Sequence, residues 1–296
     1  MTTSNLKGII AYPVTPFTET DAEIDLPTLG IVIDELIKSG ADAIAALGSA
    51  GEGAYLNEQE WQRVATYSVE HVAGRVPVVI GVSELTTANA VTRARFSGAI
   101  GADAIMVAPL SYYKLSEVEI YQHYAAISDA IDIPIMLYNN PATSGIDMSA
   151  EFMLSMVDGI DKVTMIKEST GDIQRMHDIY SLSQGKVPFF NGCNYMALEA
   201  LNAGAAGWCT AAPCLIGDKP KALFDAVKRS ETDNARELFY QQLELLEFIV
   251  KGGLAATIKA GLAMNGINAG LARKPLLGLP EASLLKLKQI LQRVNA

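Results

Sequence analysis

Cysteine and histidine are scarce in these 296 residues, with three of each. Cys193, Cys209 and Cys214 are an odd set without zinc-ligand spacing. Neither a disulfide framework nor a zinc ribbon is expected, and reduced thiols are the simplest reading. Basic charge is also short: 23 Lys and Arg stand against 33 Asp and Glu, a net charge of −10. Nucleic-acid binding draws on clustered basic residues, so no nucleic acid is expected as a partner. A small anionic substrate stays compatible, because a local site can differ in sign from the whole. No run of about 18 apolar residues is free of charges or breakers, so no membrane span is expected. The opening MTTSNLKG has no charged region followed by an apolar run. No secretory leader is expected, and the cytoplasm is the expected compartment.

What is present is apolar sequence, half of the chain, in a regular order. Eight short apolar runs read as strands: 8–12, 43–47, 77–82, 104–108, 134–138, 163–167, 188–192 and 206–210. They are continuous rather than alternating, as expected for parallel strands covered on both faces. Amphipathic segments separate them. In 26–39, Leu29, Val32, Ile33, Leu36 and Ile37 mark one helical face, with Pro27 at its start and Gly40 past its end. Asn57 and Glu60 predict a capped start for the next helix. A repeat runs through the pattern: SGADAIAALG (39–48) and IGADAIMVAP (100–109) share GADAI, and AGAAGWCTA (203–211) is a looser copy. Eight strand–helix units without a break in composition predict an α/β fold, a (β/α)8 TIM barrel. An open doubly wound sheet ranks lower, because no glycine-rich dinucleotide fingerprint follows the first run. After residue 215 only helical segments follow, at about 217–229, 231–250, 254–264 and 281–294. The expected organisation is a barrel over 1–230 with a C-terminal helical extension, 231–296, in the same domain. The extra helices are expected on the barrel side or at a subunit contact.

Barrels of this kind work at the C-terminal ends of their strands. Those ends read LGSAGEG (47–53), APLSYYK (108–114), YNNP (138–141), IKES (166–169), NGCN (191–194) and CTAAP (209–213). The glycines around Ser49 and Ala50 allow a tight turn whose N–H groups can hold a carboxylate or phosphate, although an ordinary turn reads the same way. Tyr138 is a phenol able to move protons, or else a loop anchor. Lys167 ends a buried run. Lysine is almost never fully buried without a partner. It is either a strand-end residue reaching water or an amine kept to attack a carbonyl. Lys259 is also set in apolar sequence, but on a helix, where a lysine can turn outward to water. His71, His123 and His177 fall in helical segments, where solvated or capping roles are expected. No H-E-x-x-H or paired acidic metal box occurs, and G-S-A-G-E is not a nucleophile elbow.

Three of these motifs arrive in order on successive strand ends: G-S-A-G-E at 48–52, Y-N-N-P at 138–141 and I-K-E-S at 166–169. Together they resemble the Schiff-base lyases that include dihydrodipicolinate synthase and N-acetylneuraminate lyase, and the likeness runs over nearly the whole chain. The resemblance implies that Lys167 forms an imine with pyruvate or another 2-oxo acid. Tyr138 would shuttle protons, and Ser49 would relay them to it. The N–H groups of Ser49 and Ala50 would hold the substrate carboxylate. Tyr112 matches a tyrosine lent to the neighbouring subunit, and Gly192 and Cys209 match positions lining the pyruvate pocket. Family members are commonly homotetramers, dimers of dimers, without organic cofactor or catalytic metal.

The departures bear on substrate. Ala50 replaces a usual threonine, Thr143 stands where the synthase has a carboxylate-binding arginine, and Ser111 replaces a tyrosine. Glu84 follows the third strand and offers an acidic group to hydroxyls. The expectation is therefore a catabolic lyase: a 2-keto-3-deoxy sugar acid aldolase or dehydratase, or a hydroxyproline-pathway deaminase. A true 4-hydroxy-tetrahydrodipicolinate synthase is the alternative. From other classes come a non-catalytic 2-oxo-acid binder and a metal-dependent aldolase, the latter needing His and carboxylate ligands at strand ends.

Overall fold

The computed structural model describes residues 6–18 and 23–295. The first five residues, on which the leader expectation partly rests, lie outside them. Eight parallel strands close into a barrel: β1 (Gly8–Ala11), β2 (Ala43–Ala46), β3 (Val78–Gly81), β4 (Ala104–Val107), β5 (Ile135–Asn139), β6 (Val163–Glu168), β7 (Phe189–Asn191) and β8 (Gly207–Thr210). Each pairs with the next, and β1 pairs with β8. Nearly every strand residue is buried, since one face fills the barrel and the other meets helices. That double burial is why the runs are continuously apolar.

The GADAI repeat has a physical cause. Gly40 (φ 82) and Gly101 (φ 88) leave their helices in the left-handed region, where glycine carries no Cβ penalty. The aspartate two residues on then bonds the start of the preceding strand. Asp42 Oδ2 accepts from Ile9 N at 2.8 Å, and Asp103 Oδ2 accepts from Val78 N at 2.8 Å. In the third copy Ala206 takes that place and bonds through its backbone alone, N to Phe189 O at 2.8 Å and O from Gly8 N at 3.0 Å. The looser copy is the one that closes the ring.

Helix Glu58–Val72 starts as expected. Glu60 N donates to Asn57 Oδ1 at 3.0 Å, and Asn57 N donates to Glu60 Oε2 at 2.9 Å. Glu60 also receives both terminal nitrogens of Arg273, one of them at 2.9 Å from Oε1 and the other at 2.6 Å from Oε2. The guanidinium holds this carboxyl below its usual range. Such a contribution is complete above the unfolded carboxylate value and is lost as pH falls through the folded one. A Glu60→Gln protein keeps the cap but loses the charge. It should be less stable than the parent by about 1–2 kcal/mol at pH 7. In urea titrations that gap should start to narrow as pH falls below the ordinary glutamate value, about 4.3.

The C-terminal helices are Lys219–Lys228, Thr232–Lys251, Leu254–Met264 and Glu281–Val294. Thr232–Lys251 packs against Lys219–Lys228 and the short helix Ala197–Asn202, and its Phe239, Leu245, Leu246 and Ile249 join the barrel's own core cluster. Its last turn, with Leu254, reaches the C-terminal mouth of the barrel. Among the described residues no helix is long and apolar enough to cross a membrane.

Candidate active site

The strand ends converge on a cavity of about 360 Å³ at the barrel mouth. Lys167, Tyr138, Ser49, Ala50, Gly192 and Cys209 all line it. Tyr138 and Lys167 stand in register on adjacent strands. Lys167 is 5% exposed, and its Nζ lies 3.8 Å from the centre of the Tyr138 ring and 4.4 Å from that of Tyr12. Nζ donates to Tyr12 Oη at 3.2 Å and approaches Met106 Sδ at 3.7 Å. Among the described residues it makes no ion pair. Gly192 leaves the space the lysine occupies: a Cβ there would sit 2.8 Å from Lys167 Cε and 1.8 Å from Ser169 Oγ. Among the described residues Ser169 Oγ, on the same side of Gly192 as the lysine side chain, is buried without a hydrogen-bond partner.

Tyr12 was not singled out by the sequence reading. It directly follows β1, and the strand-end rule finds it once the first strand is included. Its Oη donates to Met106 Sδ at 3.1 Å. Burial raises its pKa well above 10, so the phenol stays protonated. Burial likewise raises Cys209, which remains a neutral thiol in the wall.

The Tyr138 phenol has a different neighbour from the one expected. Asn140 Nδ2 donates to Tyr138 Oη at 2.7 Å and also reaches Thr143 Oγ1 at 3.0 Å. Ser49 lines the same cavity without a hydrogen bond to Tyr138. Asn140 takes this position because the short helix Pro141–Ser144 folds back directly after β5. Beneath it Asn139 is buried and ties β5 to the following loop. Its Nδ2 donates to Glu168 Oε2 at 2.9 Å, and its Oδ1 accepts from Met148 N at 3.1 Å. Burial raises the pKa of Glu168, which bonds only structural partners here.

The loop 48–53 is turned by two non-glycine residues in left-handed conformation, Leu47 (φ 61) and Glu52 (φ 53). Among the described residues the N–H groups of Ser49 and Ala50 have no intramolecular partner. Two unpaired donors on residues that line a cavity suit a carboxylate.

Four expectations need correction or qualification. Lys259 does not turn outward to water. It is 2% exposed, with Nζ 2.7 Å from Glu52 Oε1 and donating to Leu271 O at 3.0 Å. Glu84 is not open to hydroxyls: Arg93 Nη1 binds it at 2.6 Å, while Arg93 Nε binds Glu58 at 3.0 Å. This guanidinium lines a smaller cavity of about 150 Å³ next door, which shares Ser49, Tyr138, Asn140 and Thr143 with the first. His123 is buried, with Nδ1 3.0 Å from Thr87 Oγ1, rather than solvated. Tyr112 stands apart from the cavity, 87% exposed, edge-on to Tyr113. Among the described residues no group of three His, Cys, Asp or Glu is placed to hold a metal ion.

Comparison with known proteins agrees with this geometry. A 4-hydroxy-tetrahydrodipicolinate synthase from Parabacteroides distasonis is 30% identical over 295 residues, 98% of each chain. A solved structure from Pseudomonas aeruginosa, provisionally named a dihydrodipicolinate synthetase, superposes with a TM-score of 0.96 at 52% identity, over 98% of this chain and 99% of that one. A prophage protein of the dihydrodipicolinic acid synthase family from E. coli K12, solved in complex with pyruvate, gives a TM-score of 0.92 at 25% identity over 98% of both chains. Residues 5–294 match the profile of the dihydrodipicolinate synthetase family. The chain belongs to that family, a family of class I Schiff-base lyases.

Proposed function

We propose that this protein is a Schiff-base-forming lyase acting on pyruvate or a related 2-oxo acid, with Lys167 as nucleophile. One observation carries the reading: a buried strand-end amine, without a carboxylate partner among the described residues, lies against two phenols, Tyr12 and Tyr138, and opens into a cavity. Attack of Nζ on the substrate carbonyl forms a carbinolamine, and loss of water gives an iminium. The iminium withdraws electrons and stabilises a carbanion at C3 of the bound acid. Tyr138 moves the protons, its oxygen held in place by the hydrogen bond from Asn140. Tyr12 orients the amine as a protonated phenol. The unpaired N–H groups of Ser49 and Ala50 take the carboxylate. The E. coli relative solved with pyruvate supports that substrate class.

The distal wall decides the rest. Its polar groups are neutral, Asn140 and Thr143, and among the described residues no arginine lines the larger cavity. This favours a catabolic 2-keto-3-deoxy sugar acid aldolase or dehydratase, or a hydroxyproline-pathway deaminase, since a hydroxylated tail needs no guanidinium. The second reading, 4-hydroxy-tetrahydrodipicolinate synthase, draws on the name of the Parabacteroides relative. A cytoplasmic homotetramer belongs to the same proposal, with exposed Tyr112 offered to a neighbouring copy. The test is borohydride reduction of the protein with pyruvate, with and without a chelator. A stable adduct in both is expected. Turnover of hydroxylated 2-oxo acids, set against condensation of pyruvate with an amino-aldehyde carboxylate, then separates the two enzyme readings. An adduct without turnover of either class would leave a binder. Loss of activity with chelator would revive a metal-dependent aldolase.

A further inference from the structure

Lys259 belongs to helix Leu254–Met264, outside the barrel, and lies apart from the reaction cavity. Its environment is nonetheless built around its charge. Nζ pairs with Glu52 Oε1 at 2.7 Å, donates to Leu271 O at 3.0 Å and sits 4.0 Å from the centre of the Phe17 ring. Glu52 is buried as deeply, and its second oxygen accepts from Arg273 N at 2.7 Å. Such pairs are poor devices for stability, because desolvation offsets most of the attraction and apolar replacements often do as well. The pair therefore needs another account.

Position supplies one. Glu52 lies two residues beyond Ala50, in a left-handed backbone conformation that is unfavourable for a non-glycine residue. Its N–H closes the turn on Ser49 O at 3.3 Å. A second tether, Thr15 Oγ1 to Gly51 O at 2.6 Å, holds the same loop from β1's side. The two unpaired N–H groups thus hang in a turn whose far end is fixed through a side chain.

We propose that the Lys259–Glu52 ion pair is a positioning device. It anchors loop 48–53 to the C-terminal extension, so that the N–H groups of Ser49 and Ala50 meet the carboxylate of the 2-oxo acid. This rests on the Schiff-base reading and adds two positioning residues to it.

The test uses two carbonyl probes, pyruvate and hydroxyacetone, a three-carbon ketone without a carboxylate. Borohydride labelling of Lys167 is followed against probe concentration in the wild type, in Lys259→Met and in Lys259→Met/Glu52→Gln. The double variant leaves no unpaired buried charge, so it serves if the single one fails to fold. In the folded variants, half-saturation by pyruvate should rise about tenfold, within the range for residues sharing an ion-pair network. Maximal labelling, and half-saturation by hydroxyacetone, should stay unchanged. Equal weakening of both probes would make the pair merely structural and overturn the proposal. So would an unchanged pyruvate response in the folded double variant. Failure of the wild type to label with pyruvate would show earlier and separately that the Schiff-base reading itself is wrong.

Discussion

Lys167→Ala should carry no adduct after incubation with pyruvate and borohydride, and cleavage activity should fall by at least about 10⁴-fold, the scale seen on removing a catalytic nucleophile. The parent should carry the adduct on the peptide that contains Lys167. The physical ground is the contrast between two buried lysines. Lys259 is held in an ion pair with Glu52 at 2.7 Å and donates to a carbonyl oxygen. Lys167 meets a phenol, a thioether and two ring faces, with about 360 Å³ of open space beyond. Only the second can bring its lone pair to a carbonyl carbon. Peptide mapping by mass spectrometry reads the result directly. An adduct that survived in Lys167→Ala, or one found on the peptide of Lys259, would move the reaction centre to another element.

Tyr138→Phe should lower turnover by about 10²–10⁴-fold, the usual worth of a positioned acid–base group. Substrate binding should change far less. The phenylalanine keeps the ring that lies 3.8 Å from Nζ, so the walls of the cavity are conserved. What is lost is the oxygen that accepts from Asn140 Nδ2 at 2.7 Å. Tyr12→Phe makes the informative comparison. Its phenol is held protonated by burial and touches the amine, so its loss should disturb the placing of Nζ more than the proton traffic. Single-turnover measurements separate the two: slow chemistry with normal imine formation is expected for Tyr138→Phe.

Much of this architecture was readable beforehand because its causes are local or periodic. A strand buried on both faces must be apolar throughout, which is why all eight runs stood out. Helix starts such as Asn57 and Glu60 declare themselves within four residues. The strand-end rule then turned a linear list into a ring, and six of the named residues do line one cavity. What escaped depended on partners remote in the chain. Glu52 and Arg273 are 221 positions apart, and no local pattern announces their contact. Lys259 looked like a residue able to reach water because its own helix is only weakly one-sided; the burial comes from the loop packed over it. Glu84 looked free for the same reason, its cation Arg93 lying on the next helix. Asn140 has no role that its place in Y-N-N-P announces; the fold-back at Pro141 aims its amide at the phenol.

The closing of β1 onto β8 has a consequence for how the molecule acquires its chemistry. The amine and the phenol it donates to are 155 positions apart, and the neighbouring thioether comes from a third quarter of the chain. Contacts so distant in sequence form late and slowly, because their loop entropy is lost before the contact rewards it. A chain emerging from its ribosome, or one refolding from urea, can assemble helices and pairs of strands long before the ring is joined. Its lysine then faces water like any other. On the Schiff-base reading, reactivity toward carbonyl compounds would be a late-born property, gained when the first strand finds the last.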